Sequence, residues 1–151
     1  MDVTWDGLPV ARENPTAVAI VTWRRAQDGA EFLLLHRIAP GGPEYEGDWA
    51  WTPPAGARQP GEGPEAAASR ELEEETGVAL PLTPLLEESA SEAVALFVAE
   101  VPAGTDVVLD HEHDRFVWLP LDQALPKCLP SVVASGLSNA AAWVEHHMSA
   151  T

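Results

Sequence analysis

Residues 56–78 read GARQPGEGPEAAASRELEEETGV, and the rest of the chain is organised around them. Gly61-Glu62-Gly63-Pro64 is a turn, and Pro64 suits the first position of a helix, where its missing N–H would have no partner. Ala66 to Ala68 and Arg70 to Leu72 favour helix, and Gly77 is placed to end it. At about 100° per residue, Glu71, Glu74 and Glu75 share one face, while Glu73 points to solvent. Like charges at such spacings weaken a helix. A cluster of this kind either raises its own pKa values or binds a cation. Oxygen donors without nearby Cys or His favour Mg²⁺, with Mn²⁺ as the second choice, over zinc.

The spacing carries more than the helix does. From Gly56, five residues lead to Glu62 and seven more to Arg70-Glu71. Then come Leu72, the pair Glu74-Glu75, and Gly77-Val78. In this order and spacing the stretch resembles the box of the Nudix hydrolases, which cleave nucleoside diphosphates linked to another moiety. The resemblance implies that family's α/β/α sandwich, a mixed β-sheet between helices, over roughly residues 16–148. It also implies metal ligation by Glu74, Glu75 and the Gly56 carbonyl. Glu71 then either holds metal or accepts a proton. Nudix enzymes often add a glutamate from a loop beyond the box, and Glu112 is the candidate for it, as ligand or as the alternative base. Arg70 pairs with the carboxylates and orients them, because a guanidinium bridges two oxygens. Glu62 braces the loop.

The flanks narrow the resemblance. WTPPAG at 51–56 and HEHDRFVWLPLDQA at 111–124 look like the asymmetric diadenosine tetraphosphate hydrolases. In that group a base-stacking tyrosine stands where this chain has Phe116. Two departures stand out: Ala55 replaces a lysine that would meet substrate phosphate, and Ala57 replaces a histidine. Arg37 and Arg58 are the candidates to supply the missing charge. Tyr45, Trp49 and Trp51 crowd the approach to the box and either form a platform for a base or fill the core. Alternation along a strand predicts one fate for both tryptophans.

Composition sets the outer limits. The 151 residues suggest one domain, preceded by an irregular arm over 1–15 in which Trp5 and Leu8 are docking points. No apolar run reaches the ~20 residues that span a bilayer, and the N-terminus lacks the layout of a secretory signal. A cytoplasmic protein that touches no membrane is the expectation. The lone Cys128 has no disulfide or metal partner and reads as a packed small residue. With eight Lys and Arg against a net charge of −16, the chain lacks the cations that bind polymeric nucleic acid. A small nucleotide fits, provided divalent metal supplies positive charge. A monomer and a homodimer are both open.

Strands are expected at 17–23 and 32–37, paired as a hairpin, and at 85–89, 93–101, 107–110 and 115–119. Helices are expected around 123–125 and over 131–148, with His146 and His147 favouring the C-terminal dipole. His111 and His113, at alternate positions, offer only two close ligands and so fall short of a free-standing zinc site. The resulting expectation is a Mg²⁺-dependent pyrophosphohydrolase acting on a dinucleoside polyphosphate or a (deoxy)nucleoside triphosphate. The alternative is a Nudix-fold module that senses a nucleotide without cleaving it.

Overall fold

The computed structural model describes residues 9–39, 41–85 and 92–150. The apolar runs form the expected hairpin: β1 (Ala17–Ala26) and β2 (Gly29–Arg37) pair antiparallel, with Trp23 opposite Phe32. Two short strands follow, β3 (Trp51–Thr52) beside β2 and β4 (Ala55–Ala57) beside β1. Helix α1 (Pro64–Thr76) then carries the chain over the sheet to β5 (Thr83–Pro84) and β6 (Val94–Glu100). β6 returns parallel to β1. Beyond it, β7 (His113–Leu119) pairs with β2, and α2 (Leu121–Ala124), a 3₁₀ turn and α3 (Ser131–Ser149) complete the chain.

Strand alternation sorts the core into two layers. Val18 and Ile20 of β1 and Ala95, Phe97 and Ala99 of β6 face α1, where Ala67, Ala68 and Leu72 meet them. Val21, Trp23, Leu34, Leu96 and Val98 face the other way, toward Leu137, Ala140 and Val144 of α3. The mixed sheet is thus held between helices, as an α/β/α sandwich. Burying Leu72 alone is worth about 2 kcal/mol of apolar transfer. Among the described residues no helix is long and apolar enough to cross a membrane.

Helix α1 begins and ends where its punctuation says. Gly63 is the N-cap, Pro64 opens the helix, and Gly77 closes it at φ 74°, with its N–H bonded to the Glu73 carbonyl. Such a left-handed turn is costly for any residue with a Cβ.

Two expectations are corrected. Residues 107–110 form no strand: Val108 is 66% exposed, and its N–H bonds to the Thr76 carbonyl at 2.8 Å. That segment is spent on the end of α1 rather than on the sheet. Of the strand expected at 85–89 only Leu85 is described, buried just after a short strand at Thr83–Pro84. Residues 86–89 fall outside the described residues, as do Trp5 and Leu8. The two tryptophans do not share a fate. Trp51 is buried, edge-on to His36, and its Nε1–H donates to Glu46. Trp49 is 48% exposed at φ 67°. It precedes β3 and turns left-handed, so strand alternation never reaches it.

Candidate functional site

The box folds around Arg70. Its Nε and Nη2 grip both Glu62 oxygens at 2.8 and 2.9 Å, and Nη2 also reaches the Ala57 carbonyl at 3.0 Å. Nη1 donates to Glu71 Oε1 at 2.9 Å and approaches Glu74 at 3.4 Å. One planar cation therefore ties the loop before α1 to two carboxylates on it. The Arg70 hydrogen bond, working against burial, pulls Glu62 below its usual range. Glu62 also accepts from the Gln59 N–H at 3.0 Å, which tightens the loop.

The three glutamates of the helix sit in different surroundings. Glu74 stands at the edge, more than half exposed, and Glu73 is solvated. Glu75 is 2% exposed and accepts the Ala55 N–H at 3.0 Å. Burial first, then the neighbouring Glu71 and Asp110 carboxylates, push its pKa well above the usual range. Burial also pushes Glu71 up to about 7, against the pull of Arg70. Two inward carboxylates so close together are costly when ionised, and an added cation relieves that cost. The donors are all oxygen, the set that Mg²⁺ prefers and Mn²⁺ accepts.

Gly56 makes room for this cluster. A Cβ there would land on the Glu71 carboxylate itself. Its glycine is required by close approach. Gly56→Ala is expected to keep the fold and lower Tm by a few degrees. It should cut turnover by about 10²-fold, since displacing a catalytic group by ~1 Å costs that much. Circular dichroism and a rate assay on the same sample would check both halves.

Glu112 reaches the same place from the turn before β7, close enough for its charge to act on Glu71, while its carbonyl accepts the Ile38 N–H. Beside it stand two groups that sequence reasoning did not place at the site. One ligand atom each of Glu75, Asp110 and His113 lie within 4.8 Å of one another. Residue 110 was assigned to a strand, and no local signal joins either residue to Glu75.

On the α3 side, a cavity of about 460 Å³ opens next to Ala55 and Gly56. Its walls are chiefly apolar, from β1, β6 and Val132 to Leu137 of α3, with Arg37 and Trp49 among them. The Nε of Arg37 is buried without a hydrogen-bond partner among the described residues. Arg58 is placed differently from the expectation. Its guanidinium is taken up by the carbonyls of Pro15, Glu62 and Glu13 at 2.6 to 2.7 Å, so it braces the loop and has little left for phosphate. Tyr45 is also elsewhere: its ring lies against Gly41 and Gly47, and its carbonyl accepts from His36. Phe116 pairs with Leu35, out of phase with Phe32 and Leu34 of the α3 layer, and so emerges on the α1 side, away from the cavity. The structure brings Gly56, Glu62, Arg70, Glu71, Glu74, Glu75 and Glu112 together, with Arg37 and Trp49 on the adjoining cavity.

The NUDIX domain profile matches residues 13–139. The chain is 36% identical over 124 residues to an octanoyltransferase of Myxococcus xanthus. That match covers 74% of this chain and 32% of the relative, so the chain spans about a third of that protein's length. It is 30% identical over 119 residues to the asymmetrical bis(5'-nucleosyl)-tetraphosphatase of Caenorhabditis elegans, covering 72% of this chain and 81% of the relative. The fold is similar to a crystal structure of the C. elegans Ap4A hydrolase, with TM-score 0.69 and 28% identity over 86% of this chain and 97% of that one.

Proposed function

The chain belongs to the NUDIX domain family, and on that premise we propose that it is a Mg²⁺-dependent hydrolase of phosphoanhydride bonds in nucleotide-containing small molecules. Dinucleoside polyphosphates are the first substrate class and (deoxy)nucleoside triphosphates the second. The observation that carries the reading is one arrangement: Arg70 and Glu62 hold Glu71 and Glu74 beside the buried Glu75 and Gly56, at the edge of a nucleoside-sized cavity. An intact cluster gives no support to a non-cleaving sensor. The net charge of −16 disfavours polymeric nucleic acid as substrate.

Glu71, Glu74, Glu75, Glu112 and the Gly56 carbonyl would hold the ion. When bound, it neutralises phosphate oxygens and lowers the pKa of water. The chain's own groups do the positioning. Arg70 fixes Glu71 Oε1 and leaves Oε2 to face either the ion or an attacking water, whose proton it would take. Glu112 is the other acceptor within reach. The unpartnered Nε of Arg37 offers a donor to a substrate phosphate in place of the charge missing at Ala55. Trp49 presents an exposed ring at the cavity mouth for a base.

A panel of diadenosine tetraphosphate, dATP, 8-oxo-dGTP, ADP-ribose and a nucleotide sugar, incubated with Mg²⁺ and resolved by product chromatography, tests this reading. Cleavage of at least one member at a phosphoanhydride bond is expected. Uniform failure to cleave would overturn it.

The same cluster sets a pH dependence of stability. Glu71 and Glu75 bind protons more tightly when folded than unfolded, so unfolding releases protons between the unfolded value and the raised folded one. Their stabilising contribution is complete below about pH 4.3 and, for Glu71, is lost as pH rises through about 7. In chelator, Tm should therefore fall between pH 5 and 8 on this account, and Mg²⁺ should flatten the fall. Thermal scans across pH, with and without Mg²⁺, measure it.

A further inference from the structure

His113 and Asp110 are drawn against Glu75 from a different part of the chain. β7 delivers His113 opposite Arg37 at the end of β2, the preceding loop delivers Asp110, and α1 delivers Glu75. His113 and Glu75 are both buried and Asp110 is half-buried. His113 Nδ1 lies 2.8 Å from Asp110 Oδ1. We propose that Glu75, Asp110 and His113 form a mixed nitrogen and oxygen site for a borderline transition ion of the Mn²⁺, Co²⁺ or Zn²⁺ type. It shares Glu75 with the hydrolytic reading but does not rest on it.

Geometry and charge both support the site. Ligand atoms about 2.1 Å from a cation lie ~3.0 Å apart when adjacent and ~4.2 Å apart when opposite. The His113–Asp110 pair is hydrogen-bonded at about the adjacent spacing, and an ion bound between them would take the place of the shared proton. The third ligand atom lies within 4.8 Å of both and would close by up to ~1.8 Å where it stands adjacent to one of them. Two sequestered carboxylates also need a counter-charge. Arg37 acts on Glu75 from a distance, yet its Nε remains unpartnered. An imidazole beside two carboxylates suits a borderline ion better than Mg²⁺, which prefers oxygen donors and retained waters. The oxygen-only set of Glu71, Glu74, Glu112 and the Gly56 carbonyl, with Glu75 shared between the two, has the opposite preference. Two adjacent sets of different hardness would thus let one protein hold unlike cations side by side.

The test uses the full chain, stripped with chelator and titrated with Mn²⁺ alone. Pulsed electron paramagnetic resonance reads nitrogen coordination directly, and calorimetry reads affinity. Wild type should show modulation from a bound nitrogen. His113→Gln should lose it and weaken Mn²⁺ binding by about tenfold or more, with Mg²⁺ binding little changed. Absence of the modulation in Mn²⁺-saturated wild type, or its persistence in folded His113→Gln, would overturn the proposal. Should His113→Gln fail to fold, Asp110→Asn reads the same site. A tenfold loss of Mn²⁺ affinity supports it and unchanged affinity overturns it. A cleaved substrate panel without the nitrogen signal defeats this site alone. The signal with a silent panel defeats the hydrolytic reading alone.

Discussion

Glu75→Gln is expected to lower turnover by about 10³-fold while the metal-free protein becomes more stable. The two effects have one cause. Glu75 is buried beside the Glu71 and Asp110 carboxylates, and burial opposes its ionisation before any neighbour does. Glutamine keeps an oxygen for the Ala55 N–H and removes the charge that the fold must otherwise hold protonated or pay to ionise. Each kcal/mol relieved raises Tm by about 2–4 °C in a chain of this size. The same charge is what a bound cation needs, and losing about 4 kcal/mol of transition-state stabilisation corresponds to the 10³-fold rate loss. Thermal scans in chelator and in Mg²⁺, beside rate measurements, check both effects. Wild-type turnover in the variant would remove Glu75 from the mechanism.

Arg70→Lys is expected to cost about 2 kcal/mol of stability and about 10²-fold in turnover. Arginine satisfies Glu62 through two parallel hydrogen bonds and still reaches Glu71, Glu74 and the Ala57 carbonyl. A lysine ammonium is a point charge without that fork and cannot span both glutamates. Glu62 and Glu71 are mostly shielded from solvent, so a lost partner is replaced only in part by water. Glu74 is exposed and contributes little to the loss. A cycle with Glu62→Gln separates the contributions: the coupling between positions 62 and 70 should exceed ~1 kcal/mol. Additive effects would mean that the pair is incidental.

The parts of this molecule legible in its sequence are those fixed by neighbours along the chain. Pro64 and Gly77 bracket α1 because a missing N–H and a left-handed turn act within one residue of themselves. The hairpin of β1 and β2 follows from two apolar runs, the first of them β-branched, about a tight turn. Glu71 and Glu75 share the inward face because they are one helical turn apart. What stayed hidden depends on distant partners. Nothing near Val108 says that its N–H will go to Thr76, so a strand-like run became the strap beside Gly77. Arg58 looked like a free cation until the carbonyls of Glu13, Pro15 and Glu62 claimed it. Trp49 and Trp51 were split by a backbone angle that composition does not encode. His113 lacked enough ligands nearby in sequence, and only the fold set it and Asp110 against Glu75.

The most direct test of the central claim is a product assay on diadenosine tetraphosphate with Mg²⁺, comparing wild type with Glu75→Gln and with chelator. Wild type is expected to cleave a phosphoanhydride bond in a metal-dependent way, and the folded variant to lose nearly all of that activity. Equal cleavage by both proteins, or cleavage unaffected by chelator, would contradict that claim.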